Sequence, residues 1–293
     1  MVKRKIAIIG ANGQLGGDVA EAFSADGAEV CALDHAQIEL ASADSVSACL
    51  EGLKPEIIVN TAAMHHVENC ERDVERAFAV NAVGARNLAD MARKLGATLM
   101  HVSTDYVFDG QKNNPYRETD VPLPLNVYGT SKLAGEHFVL SGCEKSIVLR
   151  TSALYGCRPC RAKGGRNFVE RMLELGRERG EVRVVDSERV SPTSTRELAG
   201  QIVALSEAGV HGLFHATAEG ECSWHEFACE IFRAARLSVS CLPVGPNELP
   251  NKVPRPAYSV LENEALKRHN LNRLHDWRVG LYGYLAQAQA AVA

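Results

Sequence analysis

Residues 6–16 read Ile6-Ala7-Ile8-Ile9-Gly10-Ala11-Asn12-Gly13-Gln14-Leu15-Gly16. A short apolar run therefore ends in a glycine-rich turn, and helical spacing follows from Gln14 to Ala25. This order is typical of the start of a dinucleotide-binding fold, because glycine lets backbone amides approach a pyrophosphate and a helix N-terminus favours negative charge. The spacing is G-x-x-G-x-x-G, not the commonest G-x-G-x-x-G, which leaves a plain strand-to-helix turn as the alternative. The candidate cofactor-binding residues in this segment are Gly10, Asn12, Gly13, Gln14, Leu15 and Gly16.

The first half of the chain continues this alternation of strand and helix. Brief apolar runs predict strands that are buried on both faces of a parallel sheet, and longer segments with helical spacing lie between them. The alternation predicts an α/β protein with a Rossmann-type, doubly wound parallel sheet. The predicted strands are 6–9, 30–33, 57–59, 99–102 and 147–149, and the predicted helices are 14–25, 75–95 and 131–140.

Past Thr151 the rhythm changes, which suggests a second, smaller lobe. We assign residues 1–155 to the dinucleotide-binding domain, with its sheet completed by parts of 182–217. Residues 156–293 are assigned mainly to a discontinuous C-terminal substrate-binding lobe. A helix is expected at 168–177 and a strand at 182–185.

Two Ser-x-x-Glu sequences in this half match the capping box and predict helix starts at Ser194 and Ser223. Prolines at 243, 246, 250, 254 and 256 predict an irregular loop that is not a core element. The Ala-rich segment 284–293 predicts a closing helix.

Composition excludes several classes of protein. The 293 residues are 46% apolar and 23% charged, which is enough apolar side chain for a sizeable core. A net charge of −4 lacks the basic excess of a nucleic-acid-binding protein. The N-terminal apolar run is too short for a signal segment, and no stretch approaches the roughly 18 apolar residues of a membrane helix. We therefore expect a cytoplasmic protein, with no membrane partner, whose nine cysteines are reduced thiols.

Asp34 ends the second predicted strand, about 20 residues after the glycine turn, where an acidic side chain accepts hydrogen bonds from the adenosine ribose. A carboxylate there repels a 2′-phosphate. The cofactor is therefore expected to be NADH or NADPH, with NAD slightly favoured. A simple turn or cap role for Asp34 is the alternative, and the adjacent His35 could soften the discrimination.

Tyr128 and Lys132 stand four residues apart and share one face if the segment is helical. A nearby ammonium stabilises a phenolate and brings the phenol closer to proton exchange at neutral pH. Thr104 follows the fourth predicted strand at the carboxyl edge of the sheet, where ligands bind in open α/β folds. Its hydroxyl could polarise a substrate carbonyl as Tyr128 protonates the oxygen, while loop capping is the simpler role.

Four segments together resemble the extended short-chain dehydrogenase/reductase superfamily: 10–16, 103–110, 128–136 and 255–259. Within it, three segments are most similar to the dTDP-4-dehydrorhamnose reductases: Ser-Thr-Asp-Tyr-Val-Phe-Asp-Gly, Pro-Leu-Asn-Val-Tyr-Gly-x-x-Lys-Leu-Ala-Gly-Glu and Arg-Pro-Ala-Tyr-Ser. The resemblance runs from Ile6 to about Trp277. It implies four further cofactor-side residues, which are Asn60, Ala62, Ala63 and Asn81.

The resemblance also implies a reaction. Hydride would pass from NADH or NADPH to the C4 keto carbon of a nucleotide-linked deoxysugar, most simply converting dTDP-4-dehydro-L-rhamnose to dTDP-L-rhamnose. Tyr128 would be the general acid, Lys132 would lower its pKa and hold the nicotinamide ribose, and Thr104 would orient the carbonyl. These three residues are the catalytic candidates, and Tyr128 and Lys132 also count as cofactor-binding. The candidate substrate-binding residues are His65, Thr104, Asp105, Tyr106, Ala153 and Arg255.

Three departures from the family leave the substrate open. Ala153 stands where the family usually has a large aromatic residue, and the loop 157–166 is longer and more basic than usual. His65 and His66 occupy a turn that commonly carries smaller polar residues, and they are either substrate contacts or plain turn residues. Basic side chains suited to a diphosphate are Lys163, Arg166, Arg196 and Arg255, of which only Arg255 lies in a family-like segment.

No metal is expected. Cys157 and Cys160 form a C-x-x-C pair without a second pair at matching spacing. Cys222, His225 and Cys229 resemble ligands, but they flank a helix start with its own apolar stripe, so we attribute them to packing.

Two other functions remain open. One is a reductase or epimerase for another sugar nucleotide, which Ala153 suggests. The other is a cofactor-binding regulatory subunit that resembles the β subunit of methionine adenosyltransferase. The expected partner is a sugar-nucleotide substrate, no nucleic acid is expected, and a homodimer is left open.

Overall fold

The glycine turn joins a central strand to a helix in the computed structural model, which describes residues 3–160, 164–245, 248 and 253–290. The strands are β1 (Lys5–Ile9), β2 (Glu29–Leu33), β3 (Ile57–Asn60), β4 (Thr98–Thr104), β5 (Ser146–Thr151), β6 (Leu154–Tyr155), β7 (Glu181–Val185), β8 (Arg189–Val190), β9 (Thr193–Ser194), β10 (Gly212–His215), β11 (Cys222–Ser223) and β12 (Ser240–Val244). The helices are α1 (Gln14–Ala25), α2 (Ala43–Leu53), α3 (Val67–Arg72), α4 (Val74–Phe78), α5 (Gly84–Leu95), α6 (Val127–Gly142), α7 (Phe168–Glu178), α8 (Thr195–Glu207), α9 (Trp224–Ala234), α10 (Glu264–Arg268) and α11 (Trp277–Ala290).

The central sheet has six parallel strands in the order β10-β5-β4-β3-β1-β2. The chain first runs from β1 outward to β2 and then crosses back to β3 on the other side of β1. The crevice between β1 and β3 is therefore a topological switch point, the place where ligands bind in such sheets. The predicted α/β class with a Rossmann-type parallel sheet is confirmed.

Both faces of the sheet are covered by helices, which is why its strands are almost continuously apolar. On one face, Ile6 and Ile8 pack with α1 and α8 in a core that includes Phe23 and Ile202. On the other face, Ile9 packs with α2, α5 and α6. The helix α8 comes from the second half of the chain, so that half also completes the packing of the sheet.

A third core lies outside the sheet and is rich in aromatic residues. It joins α7, β7, α9 and α11 around Tyr155, Phe227 and Trp277. Of the segment 182–217, the strand β10 joins the central sheet, whereas β7 pairs with β12 in a separate two-stranded sheet. The division at residue 155 into two functional lobes remains a prediction.

Several local predictions need correction. The helix expected at 75–95 is interrupted by a π-helical turn at Ala79–Val83. Ser223 forms the predicted capping box, but the side chain of Ser194 makes no cap hydrogen bond at the start of α8. Pro243 lies in β12 instead of a loop, which is possible because β12 has a strand partner on one side only within the described structure.

The closing helix begins at Trp277, earlier than expected, because its first residues enter the aromatic core. Positions 246, 250 and 291–293 fall outside the described residues. None of the helices described is long and apolar enough to cross a membrane.

Candidate active site

The glycine turn is held against the end of β2 by two backbone hydrogen bonds, from the amides of Gly10 and Ala11 to the carbonyl of Leu33. Gly10 has a φ of +79°, which an L side chain rarely adopts. A Cβ on Gly16 would lie 2.2 Å from the Gly10 carbonyl oxygen. The glycines at 10 and 16 therefore allow α1 to start directly on the turn.

The first amides of α1 are available to an anion. Gly13 is the N-cap and has no side chain to accept from them, and the first N–H groups of a helix lack partners within the helix. The side chains of Gln14 and Leu15 are engaged elsewhere, since Gln14 donates to the carbonyl of Gly156 and Leu15 packs in the core. Leu15 can therefore serve a cofactor only through its backbone, whereas Gln14 also has its side-chain oxygen.

Asp34 lies beside this turn. Its Oδ2 accepts from Asn12 Nδ2 at 3.3 Å, and its Oδ1 accepts from the amide of Ala36 at 2.9 Å. His35 points to solvent and pairs with Glu39 at 3.2 Å. The Asp34 carboxylate is thus fixed next to the glycine turn, and both the ribose and the turn role predicted for it are geometrically possible.

The loop after β3 runs along the same edge of the sheet. Asn60 is buried, and its Oδ1 accepts from the amide of Ala62 at 3.1 Å. Asn81, also buried in the π-helical turn, accepts from the amide of Met64 and donates to its carbonyl, both at 2.9 Å. Asn81 also donates to Ser131 on α6 at 3.0 Å. The amide of Asn81 therefore fixes the loop that carries Ala62 and Ala63.

Helix α6 places Tyr128 in its first turn and Lys132 one turn later. Asn126 is the N-cap and accepts from the amide of Gly129 at 2.9 Å. A Cβ on Gly129 would lie 2.2 Å from the carbonyl oxygen of Tyr106, so glycine is what lets the helix approach the end of β4. The rings of Tyr106 and Tyr128 meet edge to face at 5.8 Å.

Thr104 and Tyr128 come together at this point. Burial raises the pKa of Tyr128, and a hydrogen bond with Thr104 opposes that rise. Thr104 ends β4, accepts from the amide of Tyr106 at 3.1 Å and donates to Asp105 at 3.0 Å. The phenol and the hydroxyl predicted to act on one carbonyl oxygen are therefore neighbours.

Lys132 is fully buried, and burial lowers its pKa to about 8 against an opposing effect of Glu136. Its Nζ donates to the carbonyl of Val102 at 2.7 Å and lies 3.1 Å from Nε2 of His101. The other ring nitrogen of His101 lies 3.0 Å from Asn60 Nδ2. Sequence reasoning missed His101, although its place within β4, three residues before Thr104, is a usable signal.

Asp105 is a buried carboxyl surrounded by hydroxyl groups. It accepts from Thr104 at 3.0 Å and from Ser152 at 2.8 Å, and Ser259 is a further hydrogen-bond partner. Burial raises its pKa to about 6, and these hydrogen bonds limit the rise. Asp105 was predicted to bind substrate, but its side chain is engaged with Thr104 and two serines that the sequence reasoning did not single out.

The remaining substrate candidates surround the same edge. Arg255 donates to Glu68 at 2.6 Å and lies close enough to Tyr106 to interact electrostatically. Its Nε is buried with no hydrogen-bond partner among the described residues. His65 is exposed, and its Nδ1 lies 3.4 Å from the carbonyl of Ala63. Ala153 follows β5 with a φ of +47°, an uncommon conformation for a residue with a Cβ.

The other basic candidates are not brought to this edge by any contact in the described structure. Arg166 pairs with Glu174 on α7, and Arg196 is exposed on α8. Lys163 lies outside the described residues, as does the middle of the loop 157–166. Cys157 and Cys160 are free thiols, one exposed and the other partly buried.

The chain is similar over nearly its whole length to known proteins. The family model described as "RmlD substrate binding domain" matches residues 4–290. The spore coat polysaccharide biosynthesis protein SpsK of Bacillus subtilis is 38% identical over 287 residues, which cover 98% of this chain and 99% of that protein. A dTDP-4-dehydrorhamnose reductase of Aggregatibacter actinomycetemcomitans is 34% identical, with 97% and 99% covered. The crystal structure of dTDP-4-dehydrorhamnose reductase from Bacillus anthracis in complex with NADP has a TM-score of 0.93 at 35% identity, covering 98% of this chain and 100% of that one.

Proposed function

The chain belongs to the RmlD substrate binding domain family of the extended short-chain dehydrogenase/reductase superfamily and is an NAD(P)H-dependent oxidoreductase, and we propose that it reduces the C4 keto group of a deoxysugar linked to dTDP. The most direct substrate is dTDP-4-dehydro-L-rhamnose, with dTDP-L-rhamnose as the product. The two nearly full-length relatives named as dTDP-4-dehydrorhamnose reductases support this choice.

The observation that carries the proposal is the meeting of Thr104 and Tyr128, with Lys132 one helical turn away, at the carboxyl edge of the sheet. The same edge carries the glycine turn and the carboxylate of Asp34. A dinucleotide held by the first amides of α1 would run along this edge, past the loop fixed by Asn81. The residues present therefore suit a nicotinamide dinucleotide.

Each side chain then has a defined role in reduction. When bound, the reduced nicotinamide supplies hydride to the carbonyl carbon. Tyr128 donates the proton that converts the carbonyl oxygen to a hydroxyl. Thr104 donates to the same oxygen by turning toward it the hydroxyl hydrogen that it now gives to Asp105. Lys132, as an ammonium, stabilises the phenolate that remains on Tyr128. Asp105 positions Thr104 instead of contacting the sugar, because its oxygens are engaged with hydroxyl groups.

Arg255 is the candidate for binding the nucleotide diphosphate. Its guanidinium is mostly buried, and Nε lacks a partner among the described residues. An anionic ligand would satisfy that donor, and the contact with Glu68 would hold the arginine in place. Tyr106 lies beside Arg255 and faces Tyr128, so it is suited to contact the sugar.

A second candidate function differs only in the sugar. The small side chain of Ala153 leaves more space for the sugar than the aromatic residue usual in the family would. That space favours a bulkier or differently oriented keto sugar. The regulatory-subunit alternative receives no support from the relatives named above.

Turnover with a panel of keto sugars tests the proposal. We expect NADH or NADPH to be oxidised with dTDP-4-dehydro-L-rhamnose, and product NMR to show reduction at C4. UDP- and GDP-linked keto sugars should react much more slowly. Tyr128→Phe should lower kcat about 10²- to 10⁴-fold, as expected for loss of a general acid. Tyr282→Phe, which alters an exposed tyrosine on α11, is the matched control and should keep the parent rate.

Two results would overturn the proposal. Reduction by Tyr128→Phe at the parent rate would remove the phenol from the mechanism. Turnover confined to another nucleotide-linked sugar would instead support the second candidate, and Ala153→Trp should then suppress that turnover by filling the open wall.

A further inference from the structure

A histidine and two cysteines meet where α9 packs against β12. His225 and Cys229 stand one turn apart on α9, and Cys241 lies on β12. A ring nitrogen of His225 and the two sulfur atoms all lie within 4.8 Å of one another. All three residues are partly buried, so the cluster is enclosed but open to an ion from solvent.

The separation of His225 and Cys229 matches that of two ligands in a tetrahedral zinc site. Zinc binds thiolate sulfur at about 2.3 Å and imidazole nitrogen at about 2.0 Å, which puts neighbouring sulfur and nitrogen ligands about 3.5 Å apart. The distance from His225 Nε2 to Cys229 Sγ is 3.5 Å. Two ligands four residues apart on one helix, with the third on an adjacent strand, is an arrangement that a single ion can bridge.

A carboxylate stands behind the histidine. Asp186 Oδ1 lies 3.6 Å from Nδ1 of His225 and also accepts from the hydroxyl of Ser223 at 2.5 Å. Metal-bound histidines commonly donate their second ring N–H to such a carboxylate, which orients the ring. Nδ1 therefore faces Asp186 and Nε2 faces the two thiols, so a hydrogen on Nδ1 would have an acceptor nearby once Nε2 binds a metal.

We propose that His225, Cys229 and Cys241 bind one zinc ion that joins α9 to β12, with solvent at the fourth position. On binding, both thiols release their protons to solvent. Nε2 of His225, which now donates to the Cys241 carbonyl at 3.1 Å, gives up that hydrogen bond and binds the metal, and the ring hydrogen is carried on Nδ1 instead. Cys222, which the sequence groups with His225 and Cys229, is instead buried in the aromatic core, and Cys241 takes its place.

Cobalt substitution in the full-length chain tests the site. Reduced protein stripped of metal by a chelator and titrated with Co²⁺ should show a sulfur-to-cobalt charge-transfer band and the visible bands of tetrahedral cobalt, saturating at one ion per chain. Zn²⁺ should displace the cobalt. Cys229→Ser and Cys241→Ser should lose the charge-transfer band at equimolar metal, and Asp186→Asn should weaken binding about 10- to 100-fold.

The controls use other cysteines of the same chain. Cys31→Ser changes a partly buried thiol and Cys157→Ser an exposed one, and both should keep the band. His225→Gln gives a third reading if a cysteine variant fails to fold, as judged by circular dichroism. The proposal is wrong if reduced protein shows no band at equimolar cobalt, if the band survives in the Cys229 and Cys241 variants, or if Cys157→Ser removes it.

Discussion

The Nε2 atom of His101 lies 3.1 Å from the Nζ atom of Lys132, inside the sheet and out of reach of solvent. The backbone N–H of Ala62 donates to Oδ1 of Asn60, which fixes the orientation of the Asn60 side chain. Nδ2 of Asn60 therefore donates to Nδ1 of His101. A neutral His101 that accepts there carries its hydrogen on Nε2, toward Lys132. A charged Lys132 only donates hydrogen bonds, so it would instead require a lone pair on Nε2 of His101. The tautomer of His101, the orientation of Asn60 and the charge of Lys132 are therefore coupled.

The first prediction concerns the alkaline side of the pH profile. Burial lowers the pKa of Lys132 to about 8, so its charge is lost as the pH rises through that value. In the proposed mechanism, its stabilisation of the Tyr128 phenolate is lost with the charge. We expect kcat/KM to fall above about pH 8, since this parameter reports the free enzyme. The Lys132→Arg variant should be slower, but its kcat/KM should not fall above about pH 8, because a guanidinium stays charged. We call this fall the alkaline limb.

A matched control is Lys145→Arg, which changes an exposed lysine and should leave the limb where it is. Measurement of kcat/KM between about pH 6 and 10 decides the point. A limb near pH 8 that persists in Lys132→Arg would assign the titration to another group.

The second prediction concerns stability and Asp105. Its pKa rises from 3.8 in the unfolded chain to about 6 in the folded protein, so the folded state binds its proton more tightly. This contribution to stability is fully present below about pH 4 and is lost as the pH rises through about 6. The shift corresponds to roughly 3 kcal/mol. Asp105→Asn should therefore gain stability over the parent as the pH increases from 4 to 7.

Urea unfolding of both proteins at pH 4 and pH 7 measures the difference. Asp109→Asn is a control of opposite sign, because hydrogen bonds from Tyr116 and Gln111 lower the pKa of Asp109. That variant should lose stability relative to the parent as the pH rises. An equal difference at both pH values for Asp105→Asn would contradict the prediction.

Sequence pattern was sufficient for features that depend on neighbouring residues. The helix at Gln14–Ala25 was predicted to the residue, because a glycine turn and an amphipathic repeat define it locally. The π-helical turn at Ala79–Val83 was not predictable, since α6 packs against it so closely that a Cβ on Gly135 would lie 2.3 Å from the Asn81 carbonyl oxygen. That constraint comes from a helix distant in sequence.

In the candidate site, too, residues within recognisable sequence segments were predicted and contacts between distant segments were not. Tyr128, Lys132 and Thr104 stood out because each lies in a recognisable segment. The partners that orient them did not, because Ser152 and Ser259 meet Asp105 only after the chain has folded. Spacing in the sequence cannot show such a contact.

The third prediction tests how closely α6 must approach the end of β4. A Cβ on Gly129 would lie 2.2 Å from the carbonyl oxygen of Tyr106, so Gly129→Ala must shift the first turn of the helix and Tyr128 with it. A displacement of about 1 Å can lower kcat roughly 100-fold, and the overpacking should cost about 1–3 kcal/mol of unfolding free energy. Turnover assays and urea unfolding measure the two effects.

Gly200→Ala is the matched control, because a Cβ at Gly200 in α8 would meet nothing within 4 Å. It should keep full activity and be as stable as the parent or up to about 1 kcal/mol more stable. Equal activity of Gly129→Ala and Gly200→Ala would show that the approach of α6 to Tyr106 is not needed to position the phenol.

The last prediction concerns the choice between NADH and NADPH. The Asp34 carboxylate is fixed beside the glycine turn by Asn12 and Ala36, where it would face the 2′ position of a bound adenosine ribose. Repulsion of a 2′-phosphate at this partly exposed position is about 1–2 kcal/mol, or about five- to thirtyfold in relative kcat/KM. Asp34→Ser should raise the NADPH-to-NADH ratio by that factor. Asp44→Asn removes an exposed charge from α2 and should leave the ratio unchanged, whereas a ratio that is the same in the parent and in Asp34→Ser would assign Asp34 to the turn alone.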